Sequence, residues 1–149
     1  MTDATATYSF TQGTLPLLIS IPHLGTEIPP ELQAGMADVA GIKQDTDWHL
    51  DQLYGFAQAM GASIIRARVS RYVIDLNRPP ENAPMYAGAN NTELCPTRFF
   101  TGDTLYRNGQ APGDAEIAER VRHWWQPYHA ALAAELARLQ AAHGHAVLF

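Results

Sequence analysis

The sequence predicts an α/β fold in which a mixed sheet is flanked by helices. Short apolar runs alternate with segments of helical periodicity along the chain, an order that is typical of such sheets. The 149 residues are 46% hydrophobic and 17% charged, which indicates a folded globular chain. This length suits one compact domain, so we expect a single α/β domain over residues 1–149.

The first predicted strand is the continuous apolar run at residues 15–21, which ends at Pro22. Residues 22–44 are rich in Pro and Gly and predict a loop, with one helical turn from Pro30. A helix is expected over residues 45–60, because Asp45 is a suitable N-cap and apolar residues recur at helical spacing. Gly61 fits the position just after that helix.

Two further strands are predicted at residues 62–66 and 72–76, where β-branched and aromatic residues cluster. The following stretch, 77–113, is rich in Pro, Gly, Asn and Thr and is too long for a simple connection. Loops of that length in compact domains are usually functional or disordered. The aromatic residues here favour an ordered loop, and we predict that it covers an active site.

The longest helix is predicted at residues 114–143, with a kink near His123 because Pro127 lies inside the apolar pattern. Gly144 ends this helix, and a last strand is expected at residues 145–149. We expect that strand to leave an open sheet edge, which is a site for self-association.

Charge and composition exclude several classes of partner. The net charge of −5 and the pI of about 5.6 argue against a nucleic-acid-binding protein, which would present a basic face. No apolar run approaches the ~20 residues that cross a bilayer, so no membrane partner is expected. Residues 1–14 lack the basic and apolar regions of a signal peptide, and we therefore predict a cytoplasmic location. Cys95 is the only cysteine and is interpreted as inert packing.

His23 is the first candidate site residue, because it directly follows the apolar run 15–21. Ligands of open α/β sheets bind at the carboxyl ends of strands. Asp45 and Asp47 add carboxylates at the start of the next predicted helix, and Glu27 is a competing carboxylate close to His23. Zinc takes His nitrogen and carboxylate oxygen, so these residues supply two ligands of a metal site, and a third is missing.

Asn77 and Arg78 follow the predicted strand 72–76, before the stiff pair Pro79 and Pro80. An Arg fork binds a carboxylate through two hydrogen bonds, and the Asn amide can add another. The alternative is a structural Arg78 paired with Asp75 or Glu81. Arg71 is a candidate for a second anion contact or for polarising a carbonyl. The other helix-associated histidines are expected to be structural; they are His123, His129, His143 and His145.

The chain resembles the N-formylglutamate amidohydrolase family, the N-formylglutamate deformylases, which are zinc hydrolases of histidine degradation. The matching stretches occur in order over nearly the whole chain; they are residues 20–29, 45–54, 70–80, 94–96 and 127–129. That family is itself similar in fold and site to zinc carboxypeptidases. The resemblance therefore implies a zinc carboxypeptidase-like fold.

The resemblance implies roles for the candidate residues. His23 would be a zinc ligand, Asp47 or Asp45 the carboxylate ligand, and Asn77 with Arg78 would hold a substrate carboxylate. Apart from the resemblance, the charge of Arg71 makes it a candidate for stabilising the developing oxyanion. Family members are longer, and they carry the histidine that completes the zinc site and a general-base glutamate after the position of Phe149. We therefore expect this chain to correspond to the first part of an incomplete domain.

Three functions follow as expectations. The first is zinc-dependent hydrolysis of N-formyl-L-glutamate to formate and L-glutamate, another divalent metal being an alternative. The second is a catalytically inactive half-domain that binds metal or a partner. The third is the same chemistry on another N-acyl amino acid.

Overall fold

A four-stranded mixed sheet forms the centre of the molecule. The structure, a computed structural model, describes residues 6–38, 40, 43–83 and 92–149. The strands are β1 (Tyr8–Thr11), β2 (Leu17–Ile21), β3 (Ser63–Ala67) and β4 (Val147–Leu148), in the order β1-β3-β2-β4. β1 is antiparallel to β3, whereas β3 and β4 are both parallel to β2. The predicted mixed α/β sheet is confirmed.

Helices cover both faces of this sheet. The short helices are α1 (Pro30–Gln33), α2 (Leu50–Leu53) and α3 (Gly55–Met60). The long helix consists of α4 (Asp114–Arg120), a π-helical turn (Val121–Trp125) and α5 (Gln126–His143). Gly144 ends α5 with φ +77°, as predicted. No helix among the described residues is long and apolar enough to span a membrane.

Alternation along β2 divides the core between the two faces. Leu18 packs in one cluster with Tyr128 and Leu132 of α5, and Ile19 packs in a second cluster with Ala57 of α3. Successive side chains of a strand point to opposite faces, so this central strand contacts helices on both sides. A third cluster, which includes Met36, Tyr72 and Phe99, lies beneath the loops.

Several predicted elements need correction. β1 (Tyr8–Thr11) was missed, because it is short and lies in the mostly polar stretch 1–14. It is only partly buried and depends on pairing with β3. The predicted helix 45–60 begins late: Asp47 donates its backbone N–H to the His23 carbonyl (3.0 Å), and His49 has a left-handed φ of +66°. A helix cannot continue through those residues.

The strand predicted at 72–76 is wrong. The segment is a turn in which Val73 donates its N–H to the Ser70 carbonyl (2.9 Å), and Tyr72 donates its N–H to the Ser70 hydroxyl (3.2 Å). Its apolar residues are buried, so the sequence resembles that of a strand although the segment does not pair with one. The described parts of the predicted loop 77–113, residues 77–83 and 92–113, contain no helix or strand. Residues 84–91 of the predicted cover lie outside the described residues.

The expected irregularity of the long helix lies near His123, where the helix makes its π-helical turn. Gln126 donates its N–H to the Val121 carbonyl, five residues earlier. Proline has no N–H and its ring clashes with the carbonyl four residues before it. Widening the turn just before Pro127 relieves that clash.

Candidate active site

The site begins with the loop that follows β2. Gly25 lies so close to the segment 68–70 that a Cβ at this position would be 2.0 Å from the Val69 carbonyl oxygen. Glu27 also forms a parallel bridge with Val69. Only glycine permits this approach, and it fixes His23 against the residues that follow β3. Gly25 thus allows two segments of the chain's own backbone to lie against each other.

Asp75 is the centre of the site. Its side chain is 1% exposed, and it accepts hydrogen bonds from His23 Nε2 (2.6 Å) and the Asn77 backbone N–H (2.9 Å) on Oδ1. Arg71 Nη2 donates to its Oδ2 at 3.2 Å, and Arg78 Nε lies 3.8 Å from the same oxygen. One buried carboxylate therefore connects four residues that the sequence singled out.

Asp75 was not predicted as a site residue, although the sequence contained a signal. It is the one acidic residue inside the apolar run 72–76, and it lies four residues after Arg71 and three before Arg78. Charged residues are almost never fully buried unless they are paired. We considered Asp75 only as a structural partner of Arg78, because the run suggested a strand rather than a turn.

The charge state of Asp75 follows from its partners. Burial alone would raise its pKa, but the hydrogen bond and charge of His23, the Asn77 N–H and the Arg71 guanidinium together hold the pKa below its ordinary value. Asp75 is therefore ionised at neutral pH and accepts the Nε2 proton of His23. This hydrogen bond leaves His23 Nδ1 as the nitrogen with a free lone pair in the neutral ring.

His23 Nδ1 faces Asp47, whose Oδ2 lies 3.5 Å away. Asp47 is partly open to solvent, with a side chain that is 44% exposed, whereas His23 is 13% exposed. Arg71 Nη1 approaches the other Asp47 oxygen, Oδ1, at 3.9 Å. The structure thus brings His23, Asp47 and Arg71 together at the surface of a buried network.

The other two candidate carboxylates have different surroundings. Asp45 is buried and accepts the Phe100 N–H on Oδ2 (3.1 Å), and its own N–H donates to the Tyr72 hydroxyl (3.2 Å). Glu27 forms an ion pair with Arg68 (2.7 Å). These bonds occupy Asp45 and Glu27 in the structure, so the geometry favours Asp47 as the carboxylate opposite His23.

Arg71 is held in place on several sides. Besides Asp75, its Nη1 donates to the Asp45 carbonyl (3.3 Å), and its guanidinium carbon lies 4.6 Å from the centre of the Phe100 ring. Its side chain is 9% exposed. A buried guanidinium that stacks on an aromatic ring and is fixed by a carboxylate loses little further entropy when it binds an anion.

The guanidinium group of Arg78 is only partly engaged in hydrogen bonds to the described residues. Its Nη2 donates to the Thr92 hydroxyl (2.6 Å) and its Nε faces Asp75. Its Nη1 is buried, and among the described residues it has no hydrogen-bond partner. Buried donors normally have partners, so an unpaired guanidinium nitrogen indicates a place for an acceptor. Asn77 beside it is exposed.

A known protein family matches most of the chain. The model of the family described as N-formylglutamate amidohydrolase matches residues 15–149. The chain belongs to the N-formylglutamate amidohydrolase family.

Two curated relatives carry the name N-formylglutamate deformylase. The Pseudomonas aeruginosa protein is 48% identical over 141 residues, which are 95% of this chain and 53% of that protein. The Pseudomonas putida protein is 46% identical over 141 residues, 95% of this chain and 52% of that protein. The chain thus spans about half the length of the curated relatives that it matches.

Solved structures confirm the fold. The structure of an N-formylglutamate amidohydrolase from Ralstonia eutropha matches with a TM-score of 0.77 at 23% identity, over 96% of this chain and 55% of that chain. A structure from Agrobacterium tumefaciens matches with a TM-score of 0.74 at 23% identity, over 95% of this chain and 54% of that chain.

The donor set near His23 fits part of a metal site of the kind that we expected from the sequence. Two donor atoms 3.5 Å apart, as Nδ1 of His23 and Oδ2 of Asp47 are, can share a zinc ion at the usual bond lengths of about 2.0–2.2 Å. Asp75 supplies the carboxylate that metal-binding histidines commonly hydrogen-bond through their second nitrogen. Within the described residues no group of three His, Cys, Asp or Glu residues forms a complete metal site.

Cys95 does not contribute to this site. It is buried, and burial raises the pKa of its thiol to about 11 despite the neighbouring Arg120. A thiol of such high pKa is protonated at neutral pH and is a poor nucleophile. Its expected role as packing agrees with these surroundings.

Proposed function

We propose that this chain supplies the substrate-binding part, and part of the metal site, of an enzyme that hydrolyses N-formyl-L-glutamate to formate and L-glutamate. The observation that carries the proposal is the network around Asp75, which orients His23 towards Asp47 and fixes both Arg71 and Arg78. The names of the two curated relatives, at 48% and 46% identity, support this substrate. A cytoplasmic location is part of the same proposal.

His23 and Asp47 are the residues that would hold the metal, and Asp75 keeps His23 in the tautomer with Nδ1 unprotonated. Zinc, when bound, acts as a Lewis acid and activates water for hydrolysis. The third ligand and the general base are not assigned to residues of this chain.

Arg78 and Asn77 would orient the substrate through a carboxylate. Nη1 of Arg78, which has no hydrogen-bond partner among the described residues, would donate to one carboxylate oxygen, and the exposed Asn77 would add its amide as a further donor. Because the guanidinium group of Arg78 is already positioned, binding the substrate carboxylate also orients the reacting amide. Arg71, fixed by Asp75 and Phe100, would stabilise the negative charge that develops on the formyl oxygen.

The first test measures zinc per chain by elemental analysis, together with formate release from N-formyl-L-glutamate. N-formyl-L-glutamine, which lacks the side-chain carboxylate, is the matched control substrate, and N-acetyl-L-glutamate tests the alternative that a larger acyl group is accepted. Close to one zinc per chain with formate release would support this activity, with the missing ligand and base supplied by this chain or by a partner chain. If the protein contains no zinc and releases no formate, this activity is excluded for the chain as it stands.

Arg78→Ala tests the substrate clamp. We expect KM to rise and kcat to fall together, because the carboxylate contact both binds and positions the substrate. The combined loss in kcat/KM should be about 100-fold, the effect of removing a charge-assisted pair. Arg78→Lys keeps the charge but not the fork and should recover only part of it. An unchanged kcat/KM would exclude Arg78 from the site.

A second candidate function, association through the open sheet edge, has its own supporting observation. β4 pairs with β2 on one side, and Val147, Leu148 and Phe149 are 51%, 50% and 66% exposed. A strand with an unpaired edge is prone to pair with another chain. Sedimentation at several protein concentrations, for the wild type and Leu148→Lys, tests this. We expect association that the lysine weakens, and a wild-type monomer at all concentrations would reject it.

A further inference from the structure

The turn that carries the proposed carboxylate clamp is held by side chains of the long helix. Arg120 Nη1 donates to the Val73 carbonyl (2.9 Å), His129 Nε2 to the Leu76 carbonyl (2.9 Å), and Trp125 Nε1 to the Arg78 carbonyl (2.8 Å). Carbonyl oxygens only accept hydrogen bonds, so all three helix side chains are donors. Because this segment is not in a sheet, these carbonyls do not accept hydrogen bonds from a neighbouring strand. The side chains of the long helix donate to them instead.

The spacing of the three donors depends on the π-helical turn. Residues three or four apart share a face of an α-helix, and Trp125 and His129 satisfy this rule. Arg120 and Trp125 are five apart, and the wider turn at Val121–Trp125 lies between them. A π-helical turn brings residues five apart onto one face. It therefore aligns Arg120 with the other two donors towards the same segment of chain.

Trp125 and His129 also fix each other. Their rings stack with centroids 3.8 Å apart and an angle of 20° between their planes. Burial lowers the pKa of His129, and the hydrogen bond to the Leu76 carbonyl opposes this only in part. A neutral imidazole carries one N–H, and that N–H is used on Leu76.

The two anchored carbonyls, Leu76 and Arg78, lie on either side of Asn77. The peptide groups around the proposed clamp are thus fixed at both ends by one stacked pair. We propose that Trp125 and His129 are positioning residues for the carboxylate clamp, and that the π-helical turn at Val121–Trp125 places Arg120 beside them as a third donor to the same segment. This inference rests on the proposed function, because Asn77 and Arg78 must bind the substrate carboxylate for their positioning to matter.

Trp125→Phe is the decisive variant, since it keeps the aromatic stack on His129 and removes only the N–H donor to Arg78. Trp124→Phe is the matched control, because Trp124 is also half-buried in the same helical turn and packs against the core. His129→Phe removes the second donor, whereas His129→Gln restores an amide donor. Arg78→Ala is measured in parallel to test the clamp itself.

The measurement is the dissociation constant of L-glutamate for the 149-residue protein, obtained by NMR titration of the Asn77 and Arg78 amide signals under conditions in which every variant is folded. Loss of one positioning hydrogen bond should raise the dissociation constant about 3- to 10-fold for Trp125→Phe and His129→Phe. Trp124→Phe should stay within about twofold of the wild type, and His129→Gln should recover most of the affinity. A merely structural role would change urea stability but would not change affinity in the folded state.

The outcomes separate the two proposals. If Arg78→Ala weakens binding while Trp125→Phe behaves like Trp124→Phe, the clamp stands and the positioning role is overturned. If the wild type does not bind L-glutamate, or if Arg78→Ala binds as the wild type does, the clamp is wrong and the positioning role falls with it. Weakening by Trp125→Phe with recovery in His129→Gln supports both.

Discussion

Two buried carboxylates can be compared: Asp75 lies at the candidate active site, and Glu135 links structural elements away from it. Both are almost inaccessible, with Asp75 at 1% and Glu135 at 4% exposure. Both have a pKa below the ordinary value. For Glu135 the Arg138 hydrogen bonds outweigh burial, Ser63 and Gln12 add to the effect, and the pKa falls to about 2. Each therefore remains ionised inside the protein.

The residues that contact Glu135 form their hydrogen bonds within the protein. Ser63 and Arg138 donate to it, Gln12 donates at 3.4 Å, and Arg138 also donates to the Gly13 carbonyl (2.8 Å). This cluster joins α5 to β3 and to the chain between β1 and β2. Within the described part of the chain, the partners of Asp75 have groups left for another molecule. The Nδ1 atom of His23 faces Asp47, Arg71 Nη1 approaches the same carboxylate, and Arg78 Nη1 has no hydrogen-bond partner.

The comparison indicates that burial and a lowered pKa do not by themselves identify a functional carboxylate. Structural ion-pair networks perturb pKa values as active sites do. What distinguishes Asp75 is that its partners still offer a lone pair or a donor to another molecule.

Asp75→Ala should have the largest effect. It leaves His23 and two arginines without their common buried partner, and breaking a buried charge network in this way typically costs about 3–5 kcal/mol. We expect the free energy of unfolding, from urea denaturation followed by circular dichroism, to fall by about that amount. If His23 binds metal as proposed, that affinity should also fall by about 10- to 100-fold. An unchanged urea midpoint would show that the Asp75 network contributes nothing to stability.

Glu135→Gln should have a smaller effect that is confined to stability. The amide cannot accept from Ser63, Arg138 and Gln12 as the carboxylate does, and an unsatisfied buried polar group costs about 1–3 kcal/mol. Urea denaturation at pH 7 measures this loss. Titration with L-glutamate should be unchanged, because the Glu135 cluster is separate from the clamp. A change in affinity comparable to that of Arg78→Ala would remove the distinction between site and scaffold.

The same variant tests the sign of the pH dependence. The pKa of Glu135 is about 2 in the folded state against an ordinary value of 4.5. Its stabilisation is therefore complete above pH 4.5 and is lost as pH falls through about 2. The difference in unfolding free energy between wild type and Glu135→Gln should shrink over this window. A difference that stays constant from pH 7 to pH 2 would contradict the lowered pKa.

Glu119→Ala should have the smallest effect. Glu119 forms an ion pair with Arg122 on the exposed surface of the long helix, where the two side chains are 55% and 62% exposed. Exposed pairs of this kind are screened by water and contribute at most about 0.5 kcal/mol. Urea denaturation should give a midpoint close to that of the wild type. A loss as large as that of Glu135→Gln would mean that burial is not what sets the ranking.

Much of the sheet and helix framework was predictable from local patterns. The apolar runs of β2 and β3, the proline that begins α1 and the glycine that ends α5 act through backbone preferences and burial that a sequence displays directly. His23, Arg71, Asn77 and Arg78 could also be named from sequence, because each follows or flanks such a run. Their roles remain predictions, but the structure places His23, Arg71 and Arg78 around one carboxylate.

Only the tertiary structure determined which groups meet. The apolar residues of 72–76 have the same pattern whether the segment is a strand or a turn, and the turn is selected by Ser70 and by donors from the distant long helix. In the same way Asp45, Asp47 and Glu27 are equivalent as carboxylates near His23 in the sequence, and their long-range hydrogen bonds distinguish them. Local periodicity thus determined the framework, whereas contacts between residues far apart in the chain determined the site, because such contacts leave no periodic signal in the sequence.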